Sequence, residues 1–323
     1  MTDRVRISVL LPVRDAEEHL AASLESLIHQ SETRIEIIVI DDGSRDATPR
    51  LLAGMVARDP RIAVIRQPRD GLVAALNRGL ALARAPLVAR MDGDDIAHPE
   101  RLARQAAFLA AHPDVAVVGS AIRVVDRRGH WLRDQAFPTE PAAVALALER
   151  ANCLAHPSVM LRREMVLAVG GYRSAFVMAE DFDLWLRLSE RHALANLPTP
   201  LLDYRDHHAQ ASWRHIEQRI LSELAAQACA RARRAGRPDP APRTVVTGAH
   251  LHAMGMDGPC VARETAIRAI GAVREAMASG HREAAAAALQ LAWRQRGLPW
   301  RLGLRRLEVT GRFRCWKRRW PTG

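Results

Sequence analysis

The sequence lacks any apolar run approaching the roughly 18 to 20 residues that a membrane-crossing helix requires, because arginines interrupt even its alanine-rich stretches. Near the N-terminus the run from Ile7 to Val13 contains a serine and a proline and is too short for a secretory signal, so the reading is of a cytoplasmic protein. Cysteine is scarce. Cys153, Cys229, Cys260 and Cys315 lie far apart with no CxxC pair, which argues against both a structural zinc site and a disulfide framework. Two nucleotide-binding signatures are also missing. No GxGxxG follows the first strand candidate, where Leu11-Pro12-Val13-Arg14-Asp15 stands, and no GxxxxGK[ST] occurs anywhere, so hydride transfer and P-loop chemistry lose support.

What the chain does have is globular composition: 323 residues, 48% hydrophobic and 26% charged, enough for one large domain and an appendage. Its net charge of +11 is unevenly placed. Residues 300–323 hold eight Lys or Arg against the single acid Glu308, +7 of the total, so the main body does not present a general nucleic-acid-binding surface. The first half alternates short β-branched runs (Val5 to Leu11, Ile35 to Ile40, Ile62 to Ile65, Leu87 to Met91, Val115 to Val118) with segments of helical period (Ala16 to His29, Thr48 to Arg58, Leu72 to Arg84, Arg101 to Ala111). This predicts an α/β fold with a mostly parallel sheet flanked by helices. Arg123 to Trp131 reads as a hairpin and Pro141 to Arg150 as a helix. From Trp213 onward nearly everything reads as helix, broken by the Pro-rich Arg237 to Pro242. The expected division is a catalytic domain over 1–212 and a helical, basic region over 213–323.

Three of the five strand candidates, the first, second and fourth, end in residues capable of chemistry: Arg14-Asp15, then Asp41-Asp42-Gly43-Ser44, then Asp92-Gly93-Asp94-Asp95. In open α/β sheets ligands bind beyond the carboxyl ends of the strands, so these clusters should meet at one crevice. Three carboxylates in four residues repel one another unless a cation or hydrogen bonds offset them, and their hard oxygens suit Mg²⁺ or Mn²⁺. The same residues could instead form a capped, solvated turn. Likewise Asp41 and Ser44 could close a turn and cap a helix beginning near Arg45, and Glu180-Asp181 could be first-turn acids of a helix from Phe182 to Arg191.

The runs Ile38-Val-Ile-Asp-Asp-Gly-Ser-Arg-Asp-Ala-Thr48 and Val88-Ala-Arg-Met-Asp-Gly-Asp-Asp-Ile-Ala-His-Pro-Glu-Arg-Leu-Ala-Arg-Gln105 closely resemble the family 2 glycosyltransferases of the bacterial polysaccharide type. The likeness extends from Ile7 to about Ser212. It takes in Pro12-Val13, Gly71 with Leu76-Asn77-Arg78-Gly79, His156-Pro157-Ser158, Gly170-Gly171-Tyr172, Glu180-Asp181 with Leu184-Trp185, and Tyr204-Arg205-Asp206-His207.

The resemblance implies a GT-A fold that transfers a sugar from a nucleotide diphosphate donor to a glycan or lipid-linked hydroxyl, inverting the anomeric carbon. It implies that Pro12, Val13, Asp15, Asp41, Asp42, Asn77, Arg78, Asp92 and His207 bind the donor, with Asp41 on the base. By the same mapping Asp94 and Asp92 hold Mg²⁺ or Mn²⁺, Asp94 more directly. Asp181 is then the catalytic base, and His156, Glu180 and Trp185 lie on the acceptor side, although the spacing of Trp185 with Leu184 and Leu188 also suits a core position. The sequence departs from the family where Arg14 and Asp15 replace an aromatic and an asparagine, which leaves the base open among uridine, taken as default, guanosine and deoxythymidine. His208 stands beside His207 where proline is frequent. A sugar nucleotidyltransferase and a non-catalytic binding scaffold are the competing classes. The basic tail, with Trp300, Trp316 and Trp320 interleaved, suits peripheral contact with the inner face of an anionic cytoplasmic membrane and not nucleic acid.

Overall fold

A computed structural model describes residues 4–206 and 215–295. Within it the chain separates into two compact units, one of residues 4–174 and 179–206, the other of Ala175–Met178 with 215–295.

Among the described residues the first unit forms one nine-stranded sheet in the order β3-β2-β1-β4-β8-β6-β9-β5, with β7 attached to β6. The strands are β1 (Ile7–Val13), β2 (Ile35–Asp41), β3 (Ile62–Arg66), β4 (Leu87–Arg90), β5 (Ile96–Ala97), β6 (Val115–Val125), β7 (Trp131–Gln135), β8 (Met160–Arg162) and β9 (Ala193–Arg205). The expected βα alternation is realised in the first half, where β3, β2, β1 and β4 are mutually parallel. Beyond β4 the sheet is mixed: β8 runs antiparallel to both β4 and β6, while β6 and β9 are parallel. The hairpin expected at Arg123 to Trp131 is the β6–β7 pair.

Helices α1 (Leu20–Ile28), α2 (Thr48–Arg58), α3 (Leu72–Leu82) and α4 (Arg101–Ala111) fall between these strands, and α5 (Pro141–Leu148), α6 (Arg163–Ala168) and α7 (Glu180–Leu188) follow. Periodicity explains their placement. Leu20, Leu24 and Leu27 of α1 and Leu102, Ala106 and Leu109 of α4 form single apolar stripes, and all are buried in one cluster with Ile7, Val9, Ile37 and Val39. Each fully buried leucine contributes about 1.5–3 kcal/mol relative to an exposed one. Strand β2 is buried at every position, including Glu36. That acid is tolerated because the Ser8 hydroxyl donates to it at 2.6 Å and Arg84 donates through Nε at 2.7 Å and its backbone N–H at 2.8 Å.

The second unit is helical: α8 (Ile216–Arg234), α9 (Gly248–Ala253), α10 (Gly258–Ala278) and α11 (Arg282–Arg294). Alanines at Ala225, Ala226, Ala230, Ala269, Ala272, Ala276 and Ala288 let the long helices approach closely. Arg268 of α10 bridges Glu223 at 2.8 Å and Gln227 at 2.6 Å on α8. Asp257 caps α10 by accepting the Cys260 N–H at 2.7 Å, with Pro259 in the first turn. The Ala175–Met178 segment joins this unit through the Val246 N–H, which donates to Ala175 O at 3.0 Å. Among the described residues no helix is long and apolar enough to cross a membrane.

Candidate active site

Because β2, β1 and β4 are adjacent and parallel, their carboxyl ends share one edge of the sheet and deliver three polar loops to it. The loops are tied to one another by hydrogen bonds. Asp42 N–H donates to Val13 O, Asp15 N–H to Ser44 Oγ and Arg45 N–H to Asp15 Oδ1, at 2.8–2.9 Å. Asp15 is one of the non-glycine residues at positive φ, +47°, a strain compensated by these two bonds. Asp41 is buried; it accepts from Ser44 N–H at 2.9 Å, and Arg66 Nε lies 3.5 Å from its other oxygen. Asp42 organises the loop after β3, accepting from Gln67 Nε2 at 2.9 Å, Asp70 N–H at 2.8 Å and Gly71 N–H at 3.0 Å. The turn reading for Asp41 and Ser44 is thus correct as geometry, but α2 starts only at Thr48, so neither residue caps it.

The third loop carries the acidic cluster. Asp92, Asp94 and Asp95 each offer an oxygen within 4.8 Å of the others. Gly93 is required for this packing, since a Cβ there would stand 2.9 Å from Val13 Cγ1. The loop is not the freely exposed turn the sequence suggested: Asp95 is buried, and α4 begins only at Arg101, too late for Asp95 to cap it. Arg90, itself buried, grips both oxygens of Asp92 at 2.7 and 2.5 Å. Burial pushes the Arg90 guanidinium down, but Asp92 first, then Tyr172 and Asp95, more than offset it and hold it charged. Burial raises Asp92 and raises Asp95 strongly, with Asp94 adding to both. Among the described residues Asp95 Oδ2 has no hydrogen-bond partner, and neither has the buried Nη1 of Arg101, whose pKa burial pushes down to about 9. A crowded set of hard oxygens with an orphaned buried carboxylate oxygen fits a divalent cation in donor chemistry.

The second half of the sheet reaches the same edge because β8 runs against β4, which places the beginning of β8 beside the end of β4; Arg90 N–H donates to Val159 O at 3.0 Å. His156, just upstream, pairs its Nε2 with Tyr172 Oη at 2.9 Å. Burial, with Arg90 secondary, pushes this imidazole well below its usual range, so it is neutral. Glu180 and Asp181 open α7, whose first turn also holds Asp183. Asp183 is fully buried between Arg173 and Arg187, and Arg187 also donates to Val169 O at 2.6 Å and Gly171 O at 2.7 Å, which anchors the start of the helix. The Asp181 carboxylate is oriented by Asn152 Nδ2 and by the Phe182 N–H, both at 2.7 Å. Glu180 is buried, and burial together with the Asp181 charge pushes it up to about 7. The charges of Arg90 and Asp92 also act on Glu180, so the start of α7 and the acidic loop share one electrostatic environment.

Several sequence expectations take a different form here. Asn77 spends its side-chain amide on the Tyr172 backbone, and Arg78 beside it is exposed on α3. Trp185, for which the resemblance implied the acceptor side and the helical spacing a core position, is fully buried and packs edge-on to His156 at 5.9 Å, in the core the spacing indicates. His207 and His208 lie outside the described residues, as does the basic tail. Sequence reasoning missed Arg90, Tyr172 and Asn152 as site residues. Arg90 was detectable as a cation in an apolar strand two positions before an aspartate; nothing in the sequence marks Asn152.

Residues 8–170 match the family model described as glycosyl transferase family 2. Over 205 residues, 62% of this chain and 80% of the other, the sequence is 30% identical to the O-antigen biosynthesis glycosyltransferase WbnJ of Escherichia coli. It is 34% identical over 202 residues to the amylovoran biosynthesis glycosyltransferase AmsE of Erwinia amylovora, 61% of this chain and 75% of that one. Among solved structures, S. aureus TarS 1-349 in complex with UDP-GlcNAc superposes with a TM-score of 0.58 at 18% identity, covering 80% of this chain and 71% of the other. The mannosyltransferase PcManGT from Pyrobaculum calidifontis, in complex with GDP-Man and Mn²⁺, gives 0.57 at 20% identity over 97% and 83%. At these identities the structural likeness is one of fold.

Proposed function

The chain belongs to glycosyl transferase family 2 and is a glycosyltransferase of GT-A fold; from that premise we propose that it is metal-dependent and inverting. The observation that carries the metal dependence is the acidic cluster: Asp92, Asp94 and Asp95, at the carboxyl end of β4, with oxygens within 4.8 Å of one another. In our reading Asp94 and Asp92 hold Mg²⁺ or Mn²⁺, and when bound the cation neutralises charge that develops on the departing diphosphate.

The chain's own residues perform the remaining work. Asp41, at the end of β2, faces the donor base, with Pro12, Val13 and Asp15 forming the adjoining loop and Asp42 shaping the loop after β3. Arg78 and His207 are assigned to the donor side. Asn77 acts from behind by fixing Tyr172. The acceptor hydroxyl attacks the anomeric carbon as the bond from that carbon to the diphosphate oxygen breaks; Asp181 takes the hydroxyl proton and the nucleotide diphosphate leaves with the bonding pair. One displacement inverts the centre, so no nucleophilic carboxylate is needed. Glu180 and His156 line the acceptor side.

The default donor in this proposal is a uridine diphosphate sugar and the acceptor a glycan or lipid-linked hydroxyl, which the names of the O-antigen and amylovoran relatives support. The test is a panel of nucleotide sugars with Mn²⁺ or Mg²⁺, scored for release of nucleotide diphosphate. Release of pyrophosphate, or thermal stabilisation by every donor with no turnover, would overturn the reading. We also propose that the +7 tail holds the protein peripherally at an anionic membrane surface, each basic residue contributing on the order of 1 kcal/mol. Truncation after Gly297 should abolish flotation with anionic liposomes, and salt-insensitive flotation of the intact chain would dismiss the tail anchor.

A further inference from the structure

Arg205, the last residue of β9, joins three segments that are remote in sequence. Its backbone N–H donates to Asp95 Oδ1 at 2.9 Å and its Nε donates to Asp94 O at 2.8 Å. Its Nη1 donates to Asp126 O at 3.2 Å and to Arg127 O at 2.9 Å, in the turn between β6 and β7. The turn carries further hydrogen bonds of its own. Asp126 accepts from Arg128 N–H at 2.8 Å and His130 N–H at 2.9 Å, and Arg127 forms a two-pronged pair with Glu18 of the β1–α1 loop at 2.8 and 2.6 Å.

Within the acidic loop the turn-closing bond, from Asp95 N–H to Asp92 O, is long at 3.4 Å. The Arg205 bonds are shorter, and they fix the peptide group that follows the Asp94 side chain together with the carboxylate of Asp95. The Nε bond to the Asp94 carbonyl restrains the backbone of the residue that carries the Asp94 carboxylate. Arg205 is largely buried, so these bonds act in a low-dielectric setting where a charged donor on a carbonyl is strong.

We propose that Arg205 is a positioning residue for the cation site: it holds the backbone that carries the ligand Asp94, fixes the neighbouring Asp95 carboxylate, and uses the β6–β7 turn as the brace against which it does so. The inference rests on the reading of Asp94 and Asp92 as the cation's ligands. Arg205 does not touch the ion and is not a catalytic residue. Lysine at this position keeps the charge and the backbone N–H, but a single ammonium cannot reproduce the fork that reaches Asp94 O on one side and the turn carbonyls on the other.

The test is Mn²⁺ binding by the full chain in the absence of donor, followed by electron paramagnetic resonance of free Mn²⁺, for wild type, Arg205→Lys, Arg205→Ala and Glu18→Gln. We expect Arg205→Lys to weaken Mn²⁺ binding by about tenfold and Arg205→Ala by more, as fits the loss of hydrogen bonds from a charged donor. In turnover, the Mn²⁺ concentration for half-maximal rate should rise in parallel while the rate at saturating Mn²⁺ returns to within about threefold of wild type. Glu18→Gln, which loosens the rim without touching Arg205, should change Mn²⁺ affinity less than about threefold. If wild type binds no Mn²⁺ either alone or with UDP added, the cation reading itself fails. If wild type binds and Arg205→Lys binds equally well, the positioning role is overturned.

Discussion

Asn77 and Tyr172 are locked together across 95 positions of sequence by two hydrogen bonds: Asn77 Nδ2 donates to Tyr172 O at 2.8 Å and Tyr172 N–H donates to Asn77 Oδ1 at 2.9 Å. A single amide thereby satisfies both backbone groups of one residue, as a neighbouring β-strand would. Gly171 makes the approach feasible. It sits at φ +68°, and a Cβ there would lie 2.7 Å from Asn77 Oδ1. The Tyr172 hydroxyl continues the chain to His156, so α3 is coupled through Asn77 to the buried side of the candidate acceptor region.

The first prediction follows from that pairing. Asn77→Ala leaves the Tyr172 N–H and C=O without their partner, and each stranded group costs about 1–3 kcal/mol. Urea denaturation should show a loss of that order, with the apparent affinity for the acceptor falling more than that for the donor. Unchanged stability together with a large loss of donor affinity would return Asn77 to direct donor contact.

The second concerns the acidic loop. Asp94→Ala should abolish transfer and weaken Mn²⁺-dependent nucleotide binding while leaving circular dichroism and the unfolding midpoint close to wild type, because Asp94 is only half buried. Asp92→Ala should be harsher on folding, since it strands the buried Arg90 guanidinium without its carboxylate; with Asp92 one third exposed, the loss should fall below the roughly 3–5 kcal/mol of a fully buried pair. Full activity of Asp94→Ala, or turnover that survives excess chelator, would remove the cation from the mechanism.

The third separates the two carboxylates at the start of α7. Asp181→Asn keeps shape and can still accept from the Phe182 N–H, but it cannot take a proton, and positioned bases contribute about 10² to 10⁴-fold. Transfer should fall within that range while donor affinity stays near normal. A fall of less than tenfold, with a larger fall for Glu180→Gln, would assign the base to Glu180.

The strands and helices of the first half were legible because alternating β-branched runs and single apolar stripes are local signals, and α2 and α4 run over the residues their periodicity indicates. The reversal of β8 was not legible. Met160–Arg162 is too short to show a period, and its direction is set by packing between β4 and β6. At the site, residue type and spacing exposed the aspartates, since clustered like charges stand out in any sequence. What they could not show is which partner each side chain takes. Asn77 turns to Tyr172, and Arg205, which read as part of a motif, bonds to Asp94, Asp126 and Arg127 from more than 75 residues away. Trp185 at helical spacing suited both core and platform, and only tertiary burial decides for the core.

The last prediction is a pH dependence centred on Glu180. Burial first, then the Asp181 charge, lift this carboxyl from 4.5 to about 7. Its folded pKa therefore lies above its unfolded value, and between about pH 4.5 and 7 the native state holds a proton that the unfolded chain has released. Stability from this group is fully present below the unfolded pKa and is lost as pH rises through the folded one, after which the slope vanishes. The whole swing is at most a few kcal/mol. Asp92 and Asp95 are raised too and contribute a slope of the same sign, whereas His156 is lowered and contributes the opposite one. A difference measurement removes those shared contributions. Urea unfolding of wild type and Glu180→Gln at pH 5 and pH 8 should show wild type losing more stability than the variant across the interval, the amide remaining neutral throughout. Parallel losses in the two proteins would mean that Glu180 is ionised in the folded state like an ordinary surface carboxylate, and that the environment shared by Glu180, Asp181 and Asp92 does not hold its proton.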